Sequence, residues 1–156
     1  MLCLLAMPVA GCSSHSSEPA ALSFYREHGR QAARVGPSIR AVEAEVDALA
    51  KPPTAGQLAS LATSAQQANE RLDEARSGWQ VTEKGEEEEL STIETQLSEG
   101  SAELKNAIAA LATYAGNPSQ AALVPYATHL MSGREKWNEG VIQLWHLAKQ
   151  PNPPTA

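Results

Sequence analysis

Four stretches of the chain repeat apolar or small residues in steps of three and four, the spacing of one face of an α-helix. The first, from Pro19 to Ala50, carries Tyr25, Gly29, Ala32, Gly36, Ile39, Val42, Val46 and Leu49. Pro37 interrupts it, removing a backbone donor and crowding the carbonyl of Ala33, so a kink or a split is expected there. Lys51-Pro52-Pro53 ends the stretch. Thr54 and Gln57 then form a capping box ahead of Leu58, Leu61, Ala65, Ala68, Leu72 and Ala75, a stripe that stops near Ser77-Gly78. After a linker containing Trp79 and Val81, a third stripe runs from about Glu86 to Ala115 through Leu90, Ile93, Leu97, Leu104, Ile108 and Leu111, with Gly116 placed to end it. Asn117-Pro118-Ser119-Gln120 supplies start signals for a fourth stripe at Leu123, Ala127, Leu130, Arg134, Trp137, Val141, Leu144 and Ala148, in which Pro125 marks a kink or the true beginning.

Four helices with short connections predict an all-α fold, an antiparallel up-down-up-down four-helix bundle over residues 19–150 with a kinked first helix. Residues 151–156, Pro-Asn-Pro-Pro-Thr-Ala, cannot continue the last helix and read as a disordered tail. Gly29 and Gly36, and Gly133 and Gly140, are spaced by one heptad. They suggest glycine seams where the first and fourth helices approach closely.

Composition sharpens this picture. Ala fills 27 of the 156 positions, while Leu, Ile, Val and Phe together fill 28, and only seven residues are aromatic. Such a chain suits closely packed helices better than a sandwich or barrel. The formal charge of −6 provides no basic excess for a polyanion, which argues against nucleic-acid binding.

The first eleven residues, MLCLLAMPVAG, are uncharged and mostly apolar, and after Cys12 the chain turns abruptly to Ser13-Ser14-His15-Ser16-Ser17. The apolar run is shorter than the roughly 20 residues a membrane-spanning helix needs, and it has the character of a signal-peptide core. Val9-Ala10-Gly11-Cys12 resembles the lipobox of bacterial membrane lipoproteins. The resemblance implies cleavage between Gly11 and Cys12, lipidation of the Cys12 thiol, and a mature protein held at the outward side of a bacterial membrane, periplasmic or at the cell surface. Residues 1–11 would be the signal and 12–18 the lipidated cysteine with its spacer. The missing basic n-region suggests a start upstream of Met1. Cys3 would be discarded and Cys12 consumed, leaving no free thiol.

Several side chains invite a chemical role. Arg26, Arg30 and Arg34 recur at four-residue spacing and form a basic ridge beside the anchor, suited either to anionic lipid head groups or to solvent, with the third helix's glutamates at the same end as candidate counter-ions. Glu83 to Lys105 holds eight acidic and two basic residues, but consecutive glutamates on a helix diverge. A dipole-matched helix start explains Glu86 to Glu89 better than a cation site does. Trp137, Trp145, His129 and His146 are candidate ligand or partner contacts, with core packing as the ordinary alternative. No Glu precedes a His by three, so the paired bundle metal motif is missing and no metal site is expected. A haem held between His28 or His129 and Met131 is the remaining cofactor arrangement. Neither a nucleophile elbow nor a phosphate loop is present.

The sequence therefore points to a non-enzymatic, lipid-anchored interaction or structural module of the cell envelope, with no resident cofactor and an unidentified envelope protein as its partner. The alternative is a bundle that binds a small ligand, haem or metal.

Overall fold

A computed structural model describes residues 20–77 and 87–156. Among them the chain forms four long α-helices and no strand: α1 (Ala20–Asp47), α2 (Ala55–Arg76), α3 (Glu87–Gly116) and α4 (Val124–Leu147). The Trp79–Val81 linker lies outside the described residues.

Local chemistry accounts for most of the boundaries. The capping box before α2 is present: Gln57 N donates to Thr54 Oγ1 at 3.3 Å and Thr54 N donates to Gln57 Oε1 at 3.0 Å. Gln57 also donates from Nε2 to the Ala48 carbonyl at 2.8 Å, tying the start of α2 to the end of α1. α1 does not split at Pro37, which sits exposed within one continuous helix. A proline ring facing solvent leaves the packing face intact even though one backbone bond is lost. At the other end, Pro118 does not open the last helix. A short 3₁₀ turn (Ala121–Leu123) intervenes, and Pro125 occupies the first turn of α4, where its missing N–H costs nothing.

One core joins the four stripes. Val35, Ile39 and Val42 of α1 meet Leu61, Ala68 and Leu72 of α2, Leu90, Leu97 and Leu104 of α3, and Trp137, Val141 and Leu144 of α4. The most extensive packing is between α3 and α4, followed by α1 with α2, while α1 and α4 touch directly only a little. The expected glycine approach of α1 to α4 is met at Gly29, which lies against Trp145, while the α4 glycines pack on α3 instead. A Cβ on Gly133 would come 2.8 Å from the Leu104 backbone nitrogen, and one on Gly140 would come 2.9 Å from Leu97 Cγ. Gly100 is the counterpart on α3, with space for a Cβ blocked by the Trp137 backbone nitrogen at 2.5 Å. Residue numbers rise along α3 as they fall along α4 through these contacts.

The tail also departs from expectation. α4 ends with Lys149 in the left-handed region at φ 55°, and Gln150 N donates back to the Trp145 carbonyl at 2.8 Å. Asn152, also at φ 55°, turns the chain again. Residues 151–156 then fold onto α1 and α4 instead of forming a disordered tail, and Ala156 is 3% exposed. Arg40 donates to the Thr155 carbonyl at 2.8 Å, and Arg134 Nε donates to the Ala156 carbonyl at 3.0 Å. Gly36 faces this segment, where a Cβ would overlap the Thr155 carbonyl oxygen. Proline forbids helix in the tail but not tertiary hydrogen bonding by the carbonyls around it.

Candidate functional site

The basic ridge is placed by the helical repeat of α1, which puts Arg26, Arg30 and Arg34 successively along one exposed face. Arg30 and Arg34 make no hydrogen bond or ion pair among the described residues, so no described α3 glutamate neutralises them. Beside the ridge, Tyr25 meets Trp145 of α4 edge to face, with ring centroids 4.8 Å apart and planes at 85°. Gly29 allows this approach, because a Cβ there would lie 3.1 Å from the Tyr25 ring and 3.4 Å from Trp145. Tyr25, Arg26, Gly29, Arg30, Ala33 and Trp145 together line an open cleft of about 490 Å³.

The remaining sequence candidates do not gather into one site. Trp137 is fully enclosed between α3 and α4, so its ring serves packing and presents no surface to a partner. His129 is half-buried, with Nδ1 2.6 Å from Glu103 Oε2 across the α3–α4 contact. His146 is exposed and borders a shallow groove with Glu89 and Thr92. His28 packs on Phe24, ring centroids 4.8 Å apart, at the end of α1 that meets Trp145. Met131 points outward at 73% exposure. His28 and His129 lie in different parts of the bundle, because it is Glu43, much later in α1, that reaches the His129 half of α4 through Arg134. Met131 is exposed, lies two positions from His129 on the same helix, and is in the other half of the bundle from His28, so the pairing of His28 or His129 with Met131 is not assembled across the bundle. Among the described residues no three His, Cys, Asp or Glu side chains cluster as a metal site would require. Gly11 and Cys12 lie outside the described residues.

Two further features emerge only from the fold. Arg134 occupies a position on the apolar stripe of α4, and it reaches Glu43 at 2.7 Å as well as the Ala156 carbonyl. A charge on a buried stripe is a signal for an internal partner, although the sequence does not say which one. Between α2 and α3, Leu61, Ala65, Ile108 and Ala112 line a second cleft of about 290 Å³, into whose lining Asn69 contributes a buried amide oxygen with no hydrogen-bond partner among the described residues. Alanine on both helices leaves this space. Composition hinted at close packing there, but small side chains can equally leave a gap.

No known family, curated protein or solved structure matches the chain. Among the described residues no helix is long and apolar enough to cross a membrane.

Proposed function

We propose that this chain is a bacterial lipoprotein, anchored through lipidated Cys12 at the outward side of a membrane. Its up-down-up-down helical bundle, bent at Pro37 in α1, acts as an interaction or structural module of the envelope and not as an enzyme. The observation that carries the reading is Val9-Ala10-Gly11-Cys12 between an apolar run and a Ser-rich spacer, followed at Ala20 by a packed helical domain. Two or three acyl chains would hold such a domain firmly, since each buried methylene contributes about 0.8 kcal/mol and one chain alone binds marginally. The reading carries no catalytic step, and its partner is an envelope protein recognised through the exposed helix faces.

Fractionation of cells expressing the gene from its native upstream sequence tests it, with Cys12→Ala in parallel and an intact mass for the mature protein. The expected result is membrane-bound wild type with the mass of a lipidated Cys12 start, and a mutant released from the membrane. A soluble wild type retaining residues before Cys12 would overturn the anchor.

A second reading is favoured by one observation, the unpartnered Asn69 amide oxygen beside the apolar α2–α3 cleft. A small apolar molecule carrying one hydrogen-bond donor would satisfy it. Native mass spectrometry of protein purified from its own host, before and after organic extraction, would detect such a passenger.

A further inference from the structure

We propose that the cleft between the start of α1 and the end of α4, floored by Tyr25 and Trp145 and rimmed by Arg26 and Arg30, seats the phosphate of an anionic phospholipid headgroup. The inference rests on the anchored reading for its geometry. Cys12 lies eight positions before Ala20, which keeps the first turn of α1 within about 28 Å of the acyl chains even for a fully extended spacer.

Three observations converge on a phosphate-bearing surface. First, the charge is of the right sign and unspent: in a chain of net charge −6, Arg30 and Arg34 are exposed with no counter-ion among the described residues. Four-residue spacing along the helix holds these guanidinium groups in a row, so several can meet one charged plane. A planar guanidinium offers a fork of donors that matches two phosphate oxygens, which a point charge does not. Second, the cleft is floored by a phenol and an indole packed edge to face, with apolar bodies and polar tips. Tyrosine and tryptophan are enriched at the level of lipid head groups; here Tyr25 is half-buried and Trp145, 5% exposed, forms the deeper part of the floor. Third, Gly29 keeps the floor open, since a side chain there would crowd the Tyr25 ring and fill the space up to Trp145. Glu27 is the exposed carboxylate nearest the ridge in sequence, and it lies 3.7 Å from the His28 imidazole on the neighbouring face.

The test uses the full chain carrying Cys12→Ser, so that binding does not depend on acylation. Co-sedimentation with vesicles of phosphatidylcholine alone, or mixed with phosphatidylglycerol, reads the partition. Binding is expected only to the mixed vesicles and should weaken as salt is raised. Arg30→Gln and Arg34→Gln should each lower the partition about fivefold, from about 1 kcal/mol per basic residue at an anionic surface. Lys51→Gln, an exposed lysine in the α1–α2 turn at the opposite end of the bundle, should leave it unchanged. Circular dichroism establishes that each variant keeps its helices. Equal partition of the Arg30 and Arg34 variants, or no preference for phosphatidylglycerol, overturns the proposal. Glycerol phosphate alone separates the sources. Saturable shifts of the Tyr25 and Trp145 ring signals without any vesicle binding would reassign the cleft to a soluble phosphate ester and overturn the membrane assignment. Because the assay uses an unacylated chain, its failure leaves the Cys12 fractionation result standing, and the reverse also holds.

Discussion

Asn138 and Ala156 exchange two hydrogen bonds: Ala156 N donates to Asn138 Oδ1 at 2.6 Å, and Asn138 Nδ2 donates to the Ala156 carbonyl at 3.3 Å. An asparagine side chain can thus treat the tail as a neighbouring strand would, reading backbone and not side chains. Arg40 and Arg134 complete the clamp on the same segment. The tail matters to the bundle because α1 and α4 otherwise touch so little. Asn138→Ala should free it, with a loss of about 1 kcal/mol in urea unfolding, since the released groups regain water. Hydrogen exchange at residues 155–156 should accelerate while the α3–α4 core stays protected. Unchanged exchange there would contradict the clamp.

Glycine substitutions should divide by position. At Gly100 a methyl group would strike the Trp137 backbone nitrogen, which cannot move aside as a flexible side chain can. Gly100→Ala should therefore cost about 2 kcal/mol net, because overpacking outweighs the roughly 1 kcal/mol gained in helix propensity. Gly56 in the first turn of α2 has nothing closer than Thr54 Oγ1 at 4.0 Å, so Gly56→Ala should gain up to about 1 kcal/mol. Denaturation midpoints of the two variants, moving in opposite directions, check the assignment.

The contrast between those glycines also shows what could be read from the sequence. The stripes place Leu61, Leu72, Leu97 and Leu144 correctly in the interior, because burial of one helical face is a local property of the 3.6-residue repeat. Thr54 and Gln57 are legible for the same reason: a capping box closes within four residues. Which helices share a seam is not local. Gly133 and Gly140 were expected against α1, and they lie against Leu104 and Leu97 of α3. Gly100 escaped notice because its importance depends on Trp137, 37 residues away. The arginine ridge was visible as spacing, whereas its aromatic floor was not, since Tyr25 and Trp145 are brought together only by the fold. The tail failed for another reason. Its prolines exclude helix, but the groups that hold it, Arg40, Arg134 and Asn138, sit on distant helices.

Tyr126 is 6% exposed and its hydroxyl has no hydrogen-bond partner among the described residues. Burial pushes the phenol's pKa far up, and the carboxylates of Glu43 and Asp47 add to the effect while Arg134 opposes it. A buried donor without a partner costs about 1–3 kcal/mol, so Tyr126→Phe should be neutral or stabilising by up to about 1 kcal/mol. In an alkaline ultraviolet titration the folded wild type should show one more phenol resisting ionisation than folded Tyr126→Phe does. A substantial loss of stability in Tyr126→Phe would mean that the hydroxyl has found a bridging water.

His28 sets a pH dependence whose sign follows from its surroundings. Burial against Phe24 lowers its proton affinity below the ordinary value of 6.5, and the nearby Glu27 carboxylate only partly restores it. Between that depressed value and 6.5 the unfolded chain binds more protons than the folded one, so stability rises with pH across the window. The contribution is complete above 6.5 and is lost as pH falls through the window towards the folded pKa. Urea midpoints of the wild type should drop as the pH is lowered from neutral, and His28→Gln should flatten that part of the profile while lowering stability at neutral pH through lost packing. Every other titratable group is common to the two proteins, so the difference between the two curves isolates the imidazole. Parallel curves for wild type and His28→Gln would show that His28 titrates in the folded protein as it does in the unfolded chain.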